Sequence, residues 1–242
     1  MPVKECFLRY HPYCFKMSSL HFERMIFMKH RRLIIAGIGG LLTVILIALV
    51  SLVDIAPIGE QGTSIGLSHL NQFVFDLFGV NMLWYTITDW LGIAAILTAF
   101  AFAVTGLVQL INRRSLLKVD REILSLGGLY IIVIGLYLLF ENVIVNYRPI
   151  IMPDNIHPEA SFPSSHTMIV CVIMGSAVML INNYIKNKAL NRTLRVICFV
   201  IIGVTVMGRL IAGVHWFTDI LGGILISVTL LSLYKEVISH GK

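Results

Sequence analysis

The chain has 242 residues, of which 57% are hydrophobic and 13% charged, and its mean hydropathy is +0.85. Soluble domains carry about 25% charged residues, so most of this chain does not face water, and the length leaves no room for a separate soluble domain. The net charge of +6 would suit a nucleic-acid partner, but the charges lie in loops between apolar runs, which excludes that reading in favour of a membrane topology.

Residues 1–32 are mixed polar, end in Lys29-His30-Arg31-Arg32, and read as an N-terminal tail. The first 28 lack the continuous apolar region and small-residue cleavage site of a signal peptide, and Met17, Met25 and Met28 are alternative starts. Leu33 to Val53 is an uncharged run, about 31 Å long as a helix and enough to span the hydrocarbon. Residues 54–90 are the longest loop, with Pro57, Gly59, Gly62 and Gly66 near its start. Within it Leu67, Leu70, Val74 and Leu77 recur at helical spacing, followed by Trp84, Tyr85 and Trp90; this predicts an interfacial helix with an aromatic anchor.

Leu91 to Ile111 is the second span and the loop 112–122 is basic. The third span runs from Ile123 to Val145, ahead of a loop at 149–162 in which Pro149, Pro153 and Pro158 exclude regular helix. The fourth starts near Pro163, suited to a first helical turn, and ends near Ile181. The fifth is Val196–Ala212 and the sixth Val214–Leu233. The expected architecture is therefore all-α and polytopic: a tail at 1–32, a six-helix membrane domain at 33–233 with an interfacial helix between the first two spans, and a tail at 234–242. Cys6 and Cys14 fall in the N-terminal tail, and Cys171 and Cys198 inside apolar runs, so no disulfide framework is expected.

All but two of the 19 lysines and arginines fall on the side of the termini, which the positive-inside rule makes cytoplasmic. The expected localisation is thus a multi-pass protein of the plasma membrane with both termini inside. The two exceptions, Arg148 and Arg209, belong to a polar cluster at the outer ends of the spans, in Tyr147-Arg148-Pro149, Phe162-Pro163-Ser164-Ser165-His166 and Gly208-Arg209 through His215 to Asp219.

His215 and Asp219 are four residues apart and share a helix face. A carboxylate there fixes one imidazole tautomer and leaves the other nitrogen as a nucleophile. Arg148 and Arg209 offer planar bidentate donors to phosphate oxygens. Ser164, Ser165 and the free N–H groups at the start of the fourth span form a helix N-terminus facing an anion. His166 is placed to give a proton to a leaving oxygen and then take one from water. Phosphoryl transfer requires mainly positioning and charge neutralisation, so no metal or other cofactor is expected.

Arg148-Pro149, Pro163-Ser164-Ser165-His166 and the Arg209, His215, Asp219 set resemble, in order, the three signature motifs of the type 2 phosphatidic acid phosphatase family, over roughly residues 33–233. The resemblance implies a lipid phosphatase at the outer leaflet, with His215 forming a phosphohistidine oriented by Asp219. It makes His166 general acid and then base, and gives the phosphoryl group to Arg148, Arg209 and Ser164. The implied partners are the bilayer and a lipid phosphate: undecaprenyl pyrophosphate, phosphatidylglycerophosphate or phosphatidate. Three positions depart from the family pattern. A lysine usually stands seven residues before the first arginine, where this chain has Glu141, on the same helix face as Arg148 and thus either an ion partner that holds an arginine in place or a substrate selector. Gly208 replaces a serine, and Ser165 an often-present glycine.

Three other readings compete. A metal centre on His166, His215 and Asp219 is disfavoured by two adjacent arginines, which repel a cation. A transporter is disfavoured by apolar span centres. A phosphotransferase using the same residues is not separable from a hydrolase by sequence. Asp219, inside a membrane helix, is functional by default. His69, His157 and His240 read as incidental, and Asp54, Glu60, Asp76, Asp89, Asp154 and Glu159 as solvated loop acids. Gly127, Gly128, Gly135, Gly222 and Gly223 read as close-contact sites between helices.

Overall fold

An apolar run buried in lipid has no water to satisfy its amides, so every backbone bond must close inside the segment. The structure, a computed structural model, describes residues 11–153 and 155–239, and side chains from residue 31 onward. Its helices are α1 His11–Leu52, α2 Ser68–Phe78, α3 Met82–Arg113, α4 Arg121–Asn142, α5 Ser165–Tyr184, α6 Lys188–Ala212 and α7 Phe217–Ser239. All except α2 are long and apolar enough to cross a membrane, α1 doing so over Arg31–Leu52.

Helix α5 is the axis. It packs against α3, α6 and α7, and α1 lies along α7. Met168, Val172 and Leu180 of α5 join Ile123, Leu126 and Val133 of α4 and Ile226 and Leu230 of α7 in one core. Val170, Met174 and Ala177 face the other way, onto Ala95 of α3 and Cys198 of α6. The outer helices turn Val44, Phe100, Ile131 and Phe199 outward. A water-facing surface would not sustain apolar cover on that scale.

The two ends of the bundle are tied differently. At one, Arg113 pairs with Asp120 at 2.6 Å, Tyr184 donates to the same carboxylate, and Arg32 lies 3.6 Å from Glu236. The Arg113 hydrogen bond holds Asp120 below the usual carboxylate range. At the other end uncharged ties accompany the ion pair of Arg209 with Asp89. Ser164 N donates to Asp219 O at 3.0 Å and Asn81 N to Ala212 O at 3.1 Å. Buried Asn71 of α2 donates to Gly66 O and Thr218 Oγ1 and accepts from Thr218 N, capping α7. Leu70, Phe73 and Leu77 of α2 are exposed, while buried Ser68 and Asn71 and Phe75, whose ring lies 5.6 Å from that of Trp216, face the bundle.

The second span begins earlier than the sequence predicts. Trp84, Tyr85 and Trp90 are not loop residues but lie in α3, a helix of 32 residues and about 48 Å. Asn81 caps it by accepting from Leu83 N and Trp84 N, and residues 82–91 contain neither Pro nor Gly to interrupt it. Conversely, α5 starts at Ser165 with Ser164 at its cap, so Pro163 precedes the helix. The predicted boundaries at 32 and 233 fall inside α1 and α7; residues 1–10, Asp154 and 240–242 lie outside the described residues. Cβ atoms built on Gly222 and Gly223 would meet Phe162 and Ser164, whereas on Gly127, Gly128 and Gly135 they would meet nothing within 4 Å. The first pair permits close approach; the other three do not serve that purpose.

Candidate active site

The loop between α4 and α5 is drawn together by a short antiparallel pairing. Arg148 N donates to Glu159 O and Ser161 N to Asn146 O, both at 3.0 Å, around the bridge between Tyr147 and Ala160. Trp216, 1% exposed, donates its indole N–H to Tyr147 O at 2.7 Å and thereby fixes this loop to the α6–α7 turn. Arg148, Asn146 and Ser161 are thus delivered beside His215 and Asp219, although far from them in sequence.

Asp219 sits in the first turn of α7 and is fully buried. Its Oδ1 accepts from Asn146 Nδ2 at 2.9 Å, and its Oδ2 accepts from Trp216 N at 2.9 Å and Ser161 Oγ at 2.5 Å. Three donors hold the buried carboxylate in a fixed orientation. It does not bond His215 directly: Oδ2 is 3.8 Å from Nδ1, and Ser161 Oγ, 3.1 Å from Nδ1, stands between. Because Ser161 gives its proton to the carboxylate, its oxygen accepts from His215 Nδ1–H. That tautomer leaves a lone pair on Nε2, a buried atom with no hydrogen-bond partner. Burial holds the His215 imidazole below its ordinary range, at about 4; Arg148 and Arg209 push the same way and Asp219 opposes them.

The second histidine is held in another manner. His166 Nε2 lies 3.0 Å from Asp89 Oδ1, and the same oxygen accepts from Arg209 Nη2. Arg209 is 1% exposed, and its guanidinium lies over the Tyr85 ring, 4.8 Å from the centroid. Asp89, read from sequence as a solvated loop acid, is therefore a carboxylate within α3 that contacts two residues of the motif set. Gly92, one turn further along α3, makes room for His166: a Cβ there would lie 3.2 Å from Cδ2 and 3.5 Å from Nε2.

Two cavities share the walls formed by Tyr137 and Ser165. The smaller, about 20 Å³, is lined by Arg148, Ser161, Ser165, His215 and Glu141 among others. The larger, about 390 Å³, runs between α3, α4 and α5 and is lined by Tyr85, Asp89, His166, Ile93, Ile96 and Ile169 among others. The predicted site residues thus converge at one end of the bundle, on distinct walls. Ser165 faces both cavities, while Ser164 is fully buried and accepts from Thr167 Oγ1. Arg148 Nε lies 3.5 Å from Glu159 Oε2 without a hydrogen bond, so Glu159 is a site residue too. Glu141 shares the smaller cavity with Arg148. His69, read as incidental, and Asp54, read as a solvated loop acid, pair at 2.7 Å, and hydrogen bonds from His69 hold Asp54 low. Among the described residues, no three His, Cys, Asp or Glu side chains converge in a metal-binding group.

The profile of the PAP2 superfamily matches residues 124–239, a stretch that holds every site residue above except those of α3: Tyr85, Asp89, Gly92, Ile93 and Ile96. Among solved structures, the crystal structure of the first transmembrane PAP2 type phosphatidylglycerolphosphate phosphatase from Bacillus subtilis is similar, with a TM-score of 0.60 and 18% identity over 86% of this chain and 97% of that one. No curated protein matches the sequence. At that identity the similarity establishes the six-helix membrane fold.

Proposed function

Since the chain belongs to the PAP2 superfamily, we propose that it is an integral membrane lipid phosphatase that hydrolyses a lipid phosphomonoester or pyrophosphate through a phosphohistidine on His215. The observation that carries this reading is the state of that ring. Nδ1 is tied through Ser161 to Asp219, and Nε2 stands buried and unpaired on the wall of a cavity it shares with Arg148.

In the first step the Nε2 lone pair attacks phosphorus, the bond to the lipid oxygen breaks, and His166 gives that oxygen its proton. In the second, His166 takes a proton from water, the water oxygen attacks phosphorus, and the N–P bond breaks to release phosphate. Asp219 takes no proton; its charge steadies the ring as positive charge builds on it. Arg148 and Arg209 neutralise the phosphoryl oxygens, and Ser165 adds a donor between the two cavities. The apolar walls of the larger cavity suit the first methylenes of a lipid tail.

The chemistry is metal-independent, and the site opens at the outer leaflet of the plasma membrane with both termini cytoplasmic. Undecaprenyl pyrophosphate, phosphatidylglycerophosphate and phosphatidate are the substrates to test; the similar solved structure is named for the second. Purified protein in detergent micelles with chelator is expected to release phosphate from at least one of them and to carry an acid-labile phosphoryl adduct during turnover. His215→Ala is expected to abolish both. Full activity in that variant, or full dependence on added divalent metal, would defeat the assignment.

A further inference from the structure

We propose that Asp89 is the resident anion of the site: its carboxylate occupies the donors meant for substrate, and a lipid phosphate must displace it, whereas free phosphate, lacking a tail, competes with it poorly. The proposal deepens the phosphatase reading and rests on it.

Four observations converge. A single oxygen, Oδ1, accepts from Arg209 Nη2 and lies 3.0 Å from His166 Nε2, the two groups that the mechanism assigns to a phosphoryl oxygen and to the leaving oxygen. Arg209 is buried, and a buried guanidinium without a counter-charge is strongly disfavoured; Asp89 supplies that charge. The two partners differ in freedom, since the Arg209 side chain is 1% exposed and that of Asp89 36%. Asp89 opens on the cavity of about 390 Å³, so the carboxylate has space to turn aside and the guanidinium does not. Finally, Asp89 Oδ1 stands 3.0 Å from His166 Nε2, in the place a leaving oxygen must take to receive that proton, so productive binding requires the carboxylate to withdraw.

The energetic consequence is selective. A phosphate dianion brought against Arg209 and His166 meets the repulsion of a carboxylate within one side-chain length. A lipid substrate offsets that repulsion with binding energy from its tail, remote from the reacting atoms. Inorganic phosphate has no such contribution. Asp89 thus weakens binding of the product relative to the substrate and limits product inhibition.

Inorganic phosphate is the probe, titrated calorimetrically into the full chain in micelles, a readout that needs no turnover. Asp89→Asn is expected to bind it at least about 10-fold more tightly than wild type, and Asp89→Glu, which keeps the charge, to bind it about as weakly. A second measurement uses wild type alone and is independent of whether the variants fold. At saturating phosphate the ¹⁵N signal of His166 Nε2 is expected to shift as the carboxylate leaves. If wild type releases lipid phosphate but Asp89→Asn binds inorganic phosphate no more tightly, or the His166 signal stays fixed on saturation, the proposal falls and Asp89 is a static partner of His166. If no lipid releases phosphate from either protein yet Asp89→Asn still tightens phosphate binding, the phosphatase reading fails and the resident anion stands.

Discussion

His215 is 4% exposed, and Ser161 holds its Nδ1 while Asp219, itself bonded by three donors, holds Ser161. His166, across the shared Ser165, has its nitrogen on a carboxylate that opens into a cavity. One ring is set in a finished hydrogen-bond network with a single vacant lone pair; the other is held by a contact that substrate can replace. The contrast follows the demands of the two roles. A nucleophile benefits from a fixed tautomer and direction, while a proton donor must exchange partners within each turnover. The elements differ accordingly: short polar loops cross-linked by Trp216 build the first surroundings, and the long helix α3 lends a side chain to the second.

The largest expected effect comes from breaking the fixed half. Asp219→Asn places an amide N–H where a carboxylate accepted from Asn146 or from Ser161 and Trp216, so one donor meets another donor. By comparison with loss of the equivalent carboxylate charge in hydrolase triads, kcat is expected to fall about 10⁴-fold with KM changed little, because Asp219 is fully buried and touches no substrate. A loss confined to KM would mean that Asp219 serves phosphate binding instead.

Ser161→Ala tests the relay. The 3.8 Å gap between Asp219 Oδ2 and His215 Nδ1 then lacks its bridge, and kcat is expected to fall about 10–100-fold, the usual effect of losing a partner that orients a reacting group. A rate within about twofold of wild type would show that the carboxylate reaches the ring unaided.

Burial gives the same ring a pH signature. With the folded-state value of His215 at about 4 and the unfolded one near 6.5, the unfolded chain binds more protons between those values. The stability contributed by neutral His215 is present above pH ~6.5 and is lost as pH falls through about 4. A ¹⁵N titration is therefore expected to show the His215 ring neutral from pH 8 down to about 5. A midpoint near 6.5 would place the ring in water and remove the basis for the buried nucleophile.

Much of the site is legible in the sequence: the four-residue spacing brings His215 near Asp219, although His215 stands in the turn before α7 rather than on its face, and Arg148, His166 and Arg209 fall near span ends on the side opposite most of the basic residues. What lies between them is not. Ser161 and Asn146 stand within a few residues of the motifs, but their role depends on the pairing of Tyr147 with Ala160, a contact across a proline-containing loop that no periodicity encodes. Asp89 eludes the sequence for a different reason. A charge ordinarily marks the loop side of a boundary, yet Arg209 supplies the partner that lets a carboxylate stand inside α3, and that partner lies on another helix. The absence of Pro and Gly from residue 82 to 91 was the available signal that the helix starts early.

Gly208 sharpens the comparison from the packing side. A Cβ there would lie 2.5 Å from Thr88 Cγ2 and 3.0 Å from Trp84 Cε3, so the wall that carries Asp89 is pressed against the helix that carries Arg209. Gly208→Ser restores the residue usual at this position of the motif, but with α3 so close it is expected to destabilise the protein by about 1–3 kcal/mol. Thermal unfolding in micelles measures it. A neutral or stabilising result would show that α3 has freedom to retreat from α6.

The smallest expected effect is at Glu141, which lines the smaller cavity with Arg148 and Tyr137 while Arg148 has Glu159 as its ionic neighbour. Glu141 is therefore not required to hold the arginine in place, and its charge is directed at whatever enters the cavity. An acid there opposes extra negative charge on the substrate, so Glu141→Lys is expected to favour a lipid diphosphate over a monophosphate. The side chain is at a partly solvated wall, where a charge contact contributes on the order of 0.2–1 kcal/mol. Reversing the sign acts twice, once by removing repulsion and once by adding attraction, so the ratio of kcat/KM values is expected to shift about 2- to 30-fold. The change should appear in KM with kcat nearly constant, since the reacting nitrogen and its relay are untouched. An unchanged ratio would assign Glu141 to the shape of the cavity wall, and leave Asp89 as the acid within the site that discriminates among anions.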